Sequence, residues 1–151
     1  MRNLNLPAYD FKYRVEDGKR YVLDIFRRKY VMFTPEEEVR QRYARYLMEE
    51  KGYPASLMMT EYKLNLNEMT RRCDILVHKP AGSPALLVEC KAPEVNISQA
   101  TFDQVARYNL AFRVRYLMVT NGLKHYCCQL DFETEKITFL DQIPAYADLN
   151  H

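Results

Sequence analysis

Apolar and polar residues recur along the chain with two periods, one typical of helices and one typical of strands. At Thr34, the run Thr-Pro-Glu-Glu supplies a capping residue, a proline at the first helical position and, at Glu37, the acidic partner of a capping box. Apolar residues then follow at helical spacing, at Val39, Tyr43, Tyr46 and Leu47. The pattern predicts a first helix that ends at Gly52.

The segment between the first helix and a second one is rich in short apolar runs. CDILVH and ALLVECKA are joined by the turn sequence KPAGSP and predict a strand pair in a buried sheet. The preceding SLMMTEYKL fits strand or helix, and a strand is favoured because two clear strands follow it. Ser98 then caps a second predicted helix, SQATFDQVARYNLAF, with one apolar face formed by Phe102, Val105, Ala106 and Leu110.

The two ends of the chain complete the expected fold. RYLMVT, KHYCCQLDF and EKITFL predict three more strands, the first ending at the turn Asn121–Gly122. Residues 1–33 are interpreted as an N-terminal arm with one strand, RYVLDIF, that belongs to the same domain as residues 34–151. The order of elements predicts an α/β fold in which helices flank a central mixed sheet.

Composition limits the class of protein. With 151 residues and 48% hydrophobic content, the chain is long enough for one buried core. No apolar run approaches the roughly 18 residues of a membrane span, and no signal peptide is recognised, so a soluble, cytoplasmic protein without a membrane partner is expected. The cysteines lack CxxC spacing, which predicts reduced, packed thiols. Because His78, His125 and His151 are also isolated, the sequence gives little support to a zinc site.

Charge is distributed unevenly along the sequence. The net charge of +2 does not by itself indicate nucleic-acid binding. Basic residues cluster within residues 19–29, at Arg71 and Arg72, and within residues 107–115, whereas the chain is acidic from Asp131 onward. Solvated surface charge is the ordinary explanation for any single cluster.

Three residues in the predicted strand pair suggest chemistry. Side chains alternate along a strand, so Glu89 and Lys91 of ALLVECKA lie on one face. Asp74 begins the preceding strand, and a hairpin would place it beside Glu89. Two carboxylates can hold Mg²⁺ together with waters and phosphate oxygens, and a lysine can orient water or stabilise developing charge. The group therefore suits phosphodiester hydrolysis, although a structural Glu89–Lys91 ion pair is the simpler alternative.

These residues carry a resemblance to a known family. RRCDILVH, LLVECKAP and QVARY resemble the D…ExK…QxxxY pattern of PD-(D/E)xK nucleases. More narrowly, TPEEEVRQRY, GYP, RRCDILV, VECKAP and VTNG are similar to the N-terminal endonuclease domain of type I restriction enzyme R subunits, from about Thr34 to Gly122. The resemblance implies a restriction-endonuclease-like core and DNA cleavage with Mg²⁺, or Mn²⁺ as a substitute, in which Asp74 and Glu89 bind the metal and Lys91 assists catalysis.

The resemblance also implies roles for residues around this core. Gln104 and Tyr108, at positions i and i+4 of the second helix, would shape the site or hold substrate, whereas the ordinary reading makes Gln104 a surface residue and Tyr108 a core residue. Glu37 corresponds to a first-helix glutamate near the metal, although its capping spacing is a sufficient explanation. Arg71 and Arg72 are either solvated charges or phosphate contacts.

The sequence departs from the family in two ways. Cys73 stands where the motif has its nominal, variable proline. No GxxxxGK[ST] occurs in these residues, so no ATP-driven motor is predicted within them. The alternatives left open are a stand-alone relative, a component that works with motor, specificity or methylation subunits, and a catalytically silent nucleic-acid-binding or assembly module. DNA is the expected partner, RNA is a weaker alternative, and a homodimer is left open.

Overall fold

The computed structural model describes residues 2–149, so His151 and the outermost residues of the predicted arm and domain lie outside the described residues. Within that range there are two α-helices, and nine strands form two sheets. The helices are α1 (Pro35–Lys51) and α2 (Gln99–Leu110). The strands are β1 (Tyr13–Glu16), β2 (Lys19–Asp24), β3 (Lys29–Met32), β4 (Met58–Leu66), β5 (Met69–His78), β6 (Pro84–Cys90), β7 (Tyr116–Thr120), β8 (His125–Leu130) and β9 (Ile137–Leu140).

The larger sheet is mixed and has six strands in the order β4-β5-β6-β7-β8-β9. Only the β6–β7 pair is parallel, because α2 forms the crossover between these two strands, while the other neighbours are antiparallel. Side chains alternate between two cores: Leu86 and Val88 pack with α1, and Leu87 packs with α2. The predicted α/β fold with helices flanking a central mixed sheet is confirmed.

The helix ends follow from local sequence. Thr34 Oγ1 accepts a hydrogen bond from the Glu37 N–H at 3.1 Å, and Gly52 ends α1 with φ +71°, a conformation that glycine adopts without strain. Ser98 caps α2 in the same way as Thr34 caps α1. The reciprocal half of the predicted capping box is wrong, because the Thr34 N–H donates to the Met32 carbonyl and the Glu37 carboxylate binds arginine side chains instead.

The N-terminal segment is more structured than the predicted arm. RYVLDIF overlaps β2, which confirms the one predicted strand, but β1 and β3 pair with it on either side to make a three-stranded antiparallel sheet. The turn between β1 and β2 places Asp17 and Gly18 at φ +50° and +74°, as expected for a tight hairpin. The expectation of a single strand was therefore wrong, because the two short runs on either side of β2 are also strands.

Asp24, at the end of β2, joins this small sheet to the rest of the protein. Its fully buried carboxylate accepts hydrogen bonds from the backbone and side chain of Arg27, from Gln41 of α1 and from Thr60 of β4. Burial alone would raise the pKa of Asp24, but the bonds from Thr60 and Arg27 outweigh it and lower the pKa below the ordinary 3.8. Asp24 is therefore ionised in the folded protein.

We expect Asp24→Asn to lower the free energy of unfolding near neutral pH by about 1.5–3 kcal/mol, the value of a hydrogen bond to a charged group. A lowered folded-state pKa gives stability that is present above the unfolded pKa and is lost as pH falls through the folded pKa. The difference between wild type and variant should therefore shrink below about pH 4. Urea unfolding at pH 7 and in acid measures it, with exposed Asp141→Asn as the control. An equal loss at both pH values would contradict the assignment.

The four cysteines are buried, and His125 is held by two polar partners. All four cysteines are free and buried, and burial raises the pKa of Cys73, Cys127 and Cys128 to about 12. His125 packs between Thr120 and the Asn5 carbonyl, with one ring nitrogen 2.7 Å from Thr120 Oγ1. The predicted packing of the thiols is confirmed. Neither α1 nor α2, the helices of residues 2–149, is long and apolar enough to cross a membrane.

Candidate active site

The central hairpin opens where the predicted acidic residues lie. Backbone pairing of β5 with β6 runs from His78–Pro84 to Ile75–Val88, so the next positions in register are Asp74 and Glu89. At this point the Asp74 side chain replaces the backbone as the acceptor from β6, since its Oδ2 accepts the Cys90 N–H at 2.7 Å. On the other side, β6 stays paired with β7 as far as Cys90. The separation of β5 from β6 thus opens the sheet beside both carboxylates.

Asp74 is a mostly buried carboxylate with two charge-stabilising bonds. Its Oδ1 accepts a hydrogen bond from Arg40 Nη2 of α1 at 2.7 Å, and 17% of its side chain is exposed. Burial raises the pKa of Asp74 above 3.8 and the nearby Glu89 carboxylate adds to the rise, although Arg40 and the Cys90 N–H oppose it. The two carboxylates are therefore close enough to repel each other, and Asp74 is stabilised when a further cation approaches.

Glu89 lies between two cations on the α2 side of the sheet. Its Oε2 accepts a hydrogen bond from Arg71 Nη2, and Lys91 Nζ lies 3.5 Å from its Oε1. Arg71 is held in turn by α2, because its Nε donates to Asn109 Oδ1 at 3.1 Å and its guanidinium lies 5.1 Å from the centre of the Tyr108 ring. Lys91 is the more accessible cation, with 34% of its side chain exposed.

Arg40 is the centre of a buried network that extends from Asp74 to the small sheet. Its side chain is 5% exposed and donates to Glu37 and Glu61 as well as to Asp74. Glu37 also accepts from Arg27, whose Nε donates to Asp24. The carboxylate of Asp74 is therefore linked to β2 through alternating arginines and carboxylates.

The other predicted site residues lie around this pair in different settings. Tyr108 is 50% exposed rather than part of the core, and Gln104 is also exposed on α2. Arg72 is 62% exposed and pairs with Glu61 at 2.7 Å. Glu37 is directed toward Arg27, Arg40 and Gln41, so its connection with Asp74 passes through Arg40. The roles predicted for all of them stay predictions.

Three residues near the carboxylates had not been singled out from the sequence. Arg40 and Asn109 contact Asp74 and Arg71, and no sequence spacing marks either contact. Glu36, an exposed residue of the first turn of α1, has its pKa raised by partial burial and then by Asp74, while Lys91 opposes the rise. The charge of Asp74 therefore acts on Glu36, one position before the predicted Glu37.

The donor set suits a hard cation better than zinc. Within residues 2–149, no group of three or more His, Cys, Asp or Glu side chains is arranged to hold a metal ion. Magnesium, however, needs only one or two carboxylates, with waters and phosphate oxygens completing its octahedron. A carboxylate has about four lone-pair positions, so Asp74, with two hydrogen bonds, keeps acceptor capacity. Asp74 and Glu89 therefore fit Mg²⁺ chemically.

Comparison with known proteins gives a family and a fold. The family described as type I restriction enzyme R protein N terminus matches residues 35–144. The fold is similar to the fragment structure of a protein assigned as an HsdR subunit of a type I restriction enzyme from Vibrio vulnificus YJ016, with a TM-score of 0.53 and 19% identity. The match covers 76% of this chain and 24% of that chain, so this chain spans about a quarter of its length. No curated protein matches.

Proposed function

The chain belongs to the family of type I restriction enzyme R protein N termini, and from that premise we propose that it is a Mg²⁺-dependent endodeoxyribonuclease domain that hydrolyses DNA phosphodiester bonds. One observation carries the proposal: Asp74 and Glu89 each come directly after the last register pair of β5 and β6, where the two strands separate, and Lys91 lies beside Glu89. These are the residues in which the sequence resembles the PD-(D/E)xK pattern.

Asp74 and Glu89 are the proposed metal ligands, and Glu37, which is linked to Asp74 through Arg40, stays the predicted third carboxylate. Bound Mg²⁺ would supply polarisation of the scissile phosphate and a water of lowered pKa. The two carboxylates hold negative charge in a partly buried setting, where electrostatic attraction is stronger than in bulk water. Mn²⁺ is expected to substitute, because carboxylate oxygens also suit it.

The cations beside Glu89 would act on the substrate. Lys91 is charged and partly accessible, so its ammonium would orient the attacking water or stabilise charge that develops on the phosphate. Arg71 is oriented by Asn109 and Tyr108, and Arg72 is largely exposed, so both would pair with DNA phosphates beside the scissile bond. Gln104 and Tyr108 would border the same groove from α2.

A second candidate is favoured by the arginines that already bond both carboxylates. Arg40 bonds Asp74 and Arg71 bonds Glu89, so the protein neutralises its own acidic pair. A domain in this state would bind DNA or assemble with other chains without cutting. We propose motor, specificity or methylation subunits of a type I restriction system as those chains, and DNA as the shared ligand. A second copy of this chain is another proposed partner.

Metal titration separates the two candidates. Purified protein is titrated with Mg²⁺ and Mn²⁺ in a calorimeter, and nicking of supercoiled plasmid is followed with each metal and with EDTA. We expect saturable binding and metal-dependent nicking, and the same from the control Glu133→Gln, which removes an exposed carboxylate on the loop after β8. Metal binding without nicking would support the silent module, and a folded protein that binds neither metal would rule out the nuclease.

A further inference from the structure

The small sheet has an outer face made of apolar and aromatic residues. Arg14, Tyr21 and Met32 are register partners across β1, β2 and β3, and Leu23 and Tyr30 are partners in a neighbouring row. The alternate residue Val22 points to the opposite side and is fully buried. Tyr21, Leu23, Tyr30 and Met32 belong to neither core cluster of residues 2–149, and Met32 is 44% exposed. This outer face therefore leaves two tyrosine rings within reach of solvent.

Cations accompany the aromatic rings on this face. The Arg14 guanidinium lies 4.2 Å from the centre of the Tyr30 ring, a cation–π arrangement that keeps the charge on the sheet surface. Lys19 is exposed and lies two residues before Tyr21 on β2, so the two side chains are on the same face. Arg14 also lies 3.7 Å from Glu16, but both side chains are more than half exposed, and such pairs are weak. Arg14 is thus available to another anion.

The charge of the whole chain is concentrated in this segment. Residues 1–33 carry eight Arg and Lys residues against four Asp and Glu residues, a net charge of +4. Residues 34–151 carry 14 against 16, a net charge of −2. The small sheet is therefore the basic part of a chain that is otherwise slightly acidic, which favours a polyanionic partner over a neutral protein surface.

We infer that the outer face of the β1–β3 sheet binds single-stranded nucleic acid, with bases stacked on Tyr21 and against the stacked Arg14–Tyr30 pair, and phosphates paired with Lys19 and the edge of the Arg14 guanidinium. An exposed sheet face that combines aromatic rings with cations suits unpaired bases, because every base has a flat face that stacks on a ring. The bases of a duplex are already stacked on each other, so a duplex would use the cations alone. This binding needs no metal and does not depend on the proposed cleavage.

Fluorescence anisotropy with the full chain in EDTA tests the inference, since no cleavage occurs there. Labelled oligo(dT), oligo(U) and a duplex of equal length are compared. We expect either single strand to bind more tightly than the duplex, and the preferred strand identifies DNA or RNA. Tyr21→Ala and Tyr30→Ala should each weaken single-strand binding about fivefold or more, whereas Tyr21→Phe and Tyr30→Phe keep the ring and should bind as wild type.

Charge variants give a second readout. Arg14→Gln should reduce the slope of log Kd against log salt by about 0.7, the value for one phosphate contact on a single strand. The matched control Lys136→Gln removes an exposed cation from the acidic part of the chain and should leave the slope unchanged. Unfolding curves establish that each variant is folded. Three outcomes would overturn the inference: duplex binding as tight as single-strand binding, alanine variants that bind as wild type, or no binding at all. The last outcome would point to a protein partner.

Discussion

Asp74→Asn is expected to reduce Mg²⁺-dependent plasmid nicking by at least about a hundredfold, because catalysis by charge placed beside the reacting group is typically worth this much. Asparagine keeps the shape of aspartate, and its oxygen can still accept the Cys90 N–H, but it supplies no negative charge to a cation. Arg40 retains Glu37 and Glu61 as partners in this variant, so the fold should survive. Nicking rates and calorimetric Mg²⁺ affinity are measured on the same preparations.

Glu61→Gln is the matched control for Asp74→Asn. Glu61 and Asp74 both accept from Arg40 Nη2 at 2.7 Å, so either variant removes one negative partner from the same nitrogen. We expect Glu61→Gln to keep nicking within a few-fold of wild type. If the two variants lost activity equally, the effect would come from Arg40, and a direct role for the Asp74 carboxylate would be rejected.

Arg40→Met is expected to lower the free energy of unfolding near neutral pH by roughly 3–5 kcal/mol, the cost of removing one partner from a buried ion pair. Arg40 is 5% exposed and bonds three carboxylates. After its removal Glu37 keeps Arg27 and Glu61 keeps Arg72, but Asp74 keeps only the Cys90 N–H. Urea unfolding of wild type and variant measures the difference.

The pH dependence of this loss identifies its cause. Loss of Arg40 should raise the pKa of Asp74 further, and a carboxyl group with a raised folded-state pKa gives stability that is lost as pH rises through that pKa. The difference in free energy of unfolding between wild type and Arg40→Met should therefore be largest at neutral pH and smaller in acid. Arg45→Met, on the same helix but 25% exposed and 3.7 Å from Glu49, should cost within about 1 kcal/mol. Equal losses at the two arginines, or no change with pH, would refute this account.

Much of the larger sheet could be predicted because burial on both faces leaves a clear pattern in the sequence. The apolar run of β6 buries Leu86 and Val88 against α1 and Leu87 against α2, as expected for a sheet covered on both sides. The two helices had capping residues at Thr34 and Ser98 that mark their first turns. In these elements local sequence and tertiary packing favour the same conformation.

The small sheet could not be predicted to the same extent. β1 and β3 have four residues each, and most of their side chains are exposed or half-buried. Runs this short carry little apolar periodicity, and a two-stranded ribbon is marginal by itself. Pairing with β2, whose Val22 and Asp24 are buried against the rest of the protein, stabilises both strands.

The sequence by itself determined the order of the elements from α1 onward, the placement of Asp74 and Glu89 on neighbouring strands, and the resemblance to a nuclease family, although Asp74 lies within β5 rather than at its start and Lys91 follows the end of β6. Only the tertiary structure decided which cations reach the carboxylates, since Arg40 and Asp74 are 34 residues apart and meet only when α1 packs on the sheet. It also decided the contacts of Glu37. Because α1 packs on the sheet in one orientation, which no local pattern encodes, the Glu37 carboxylate binds Arg27 and Arg40, and its connection with Asp74 passes through Arg40.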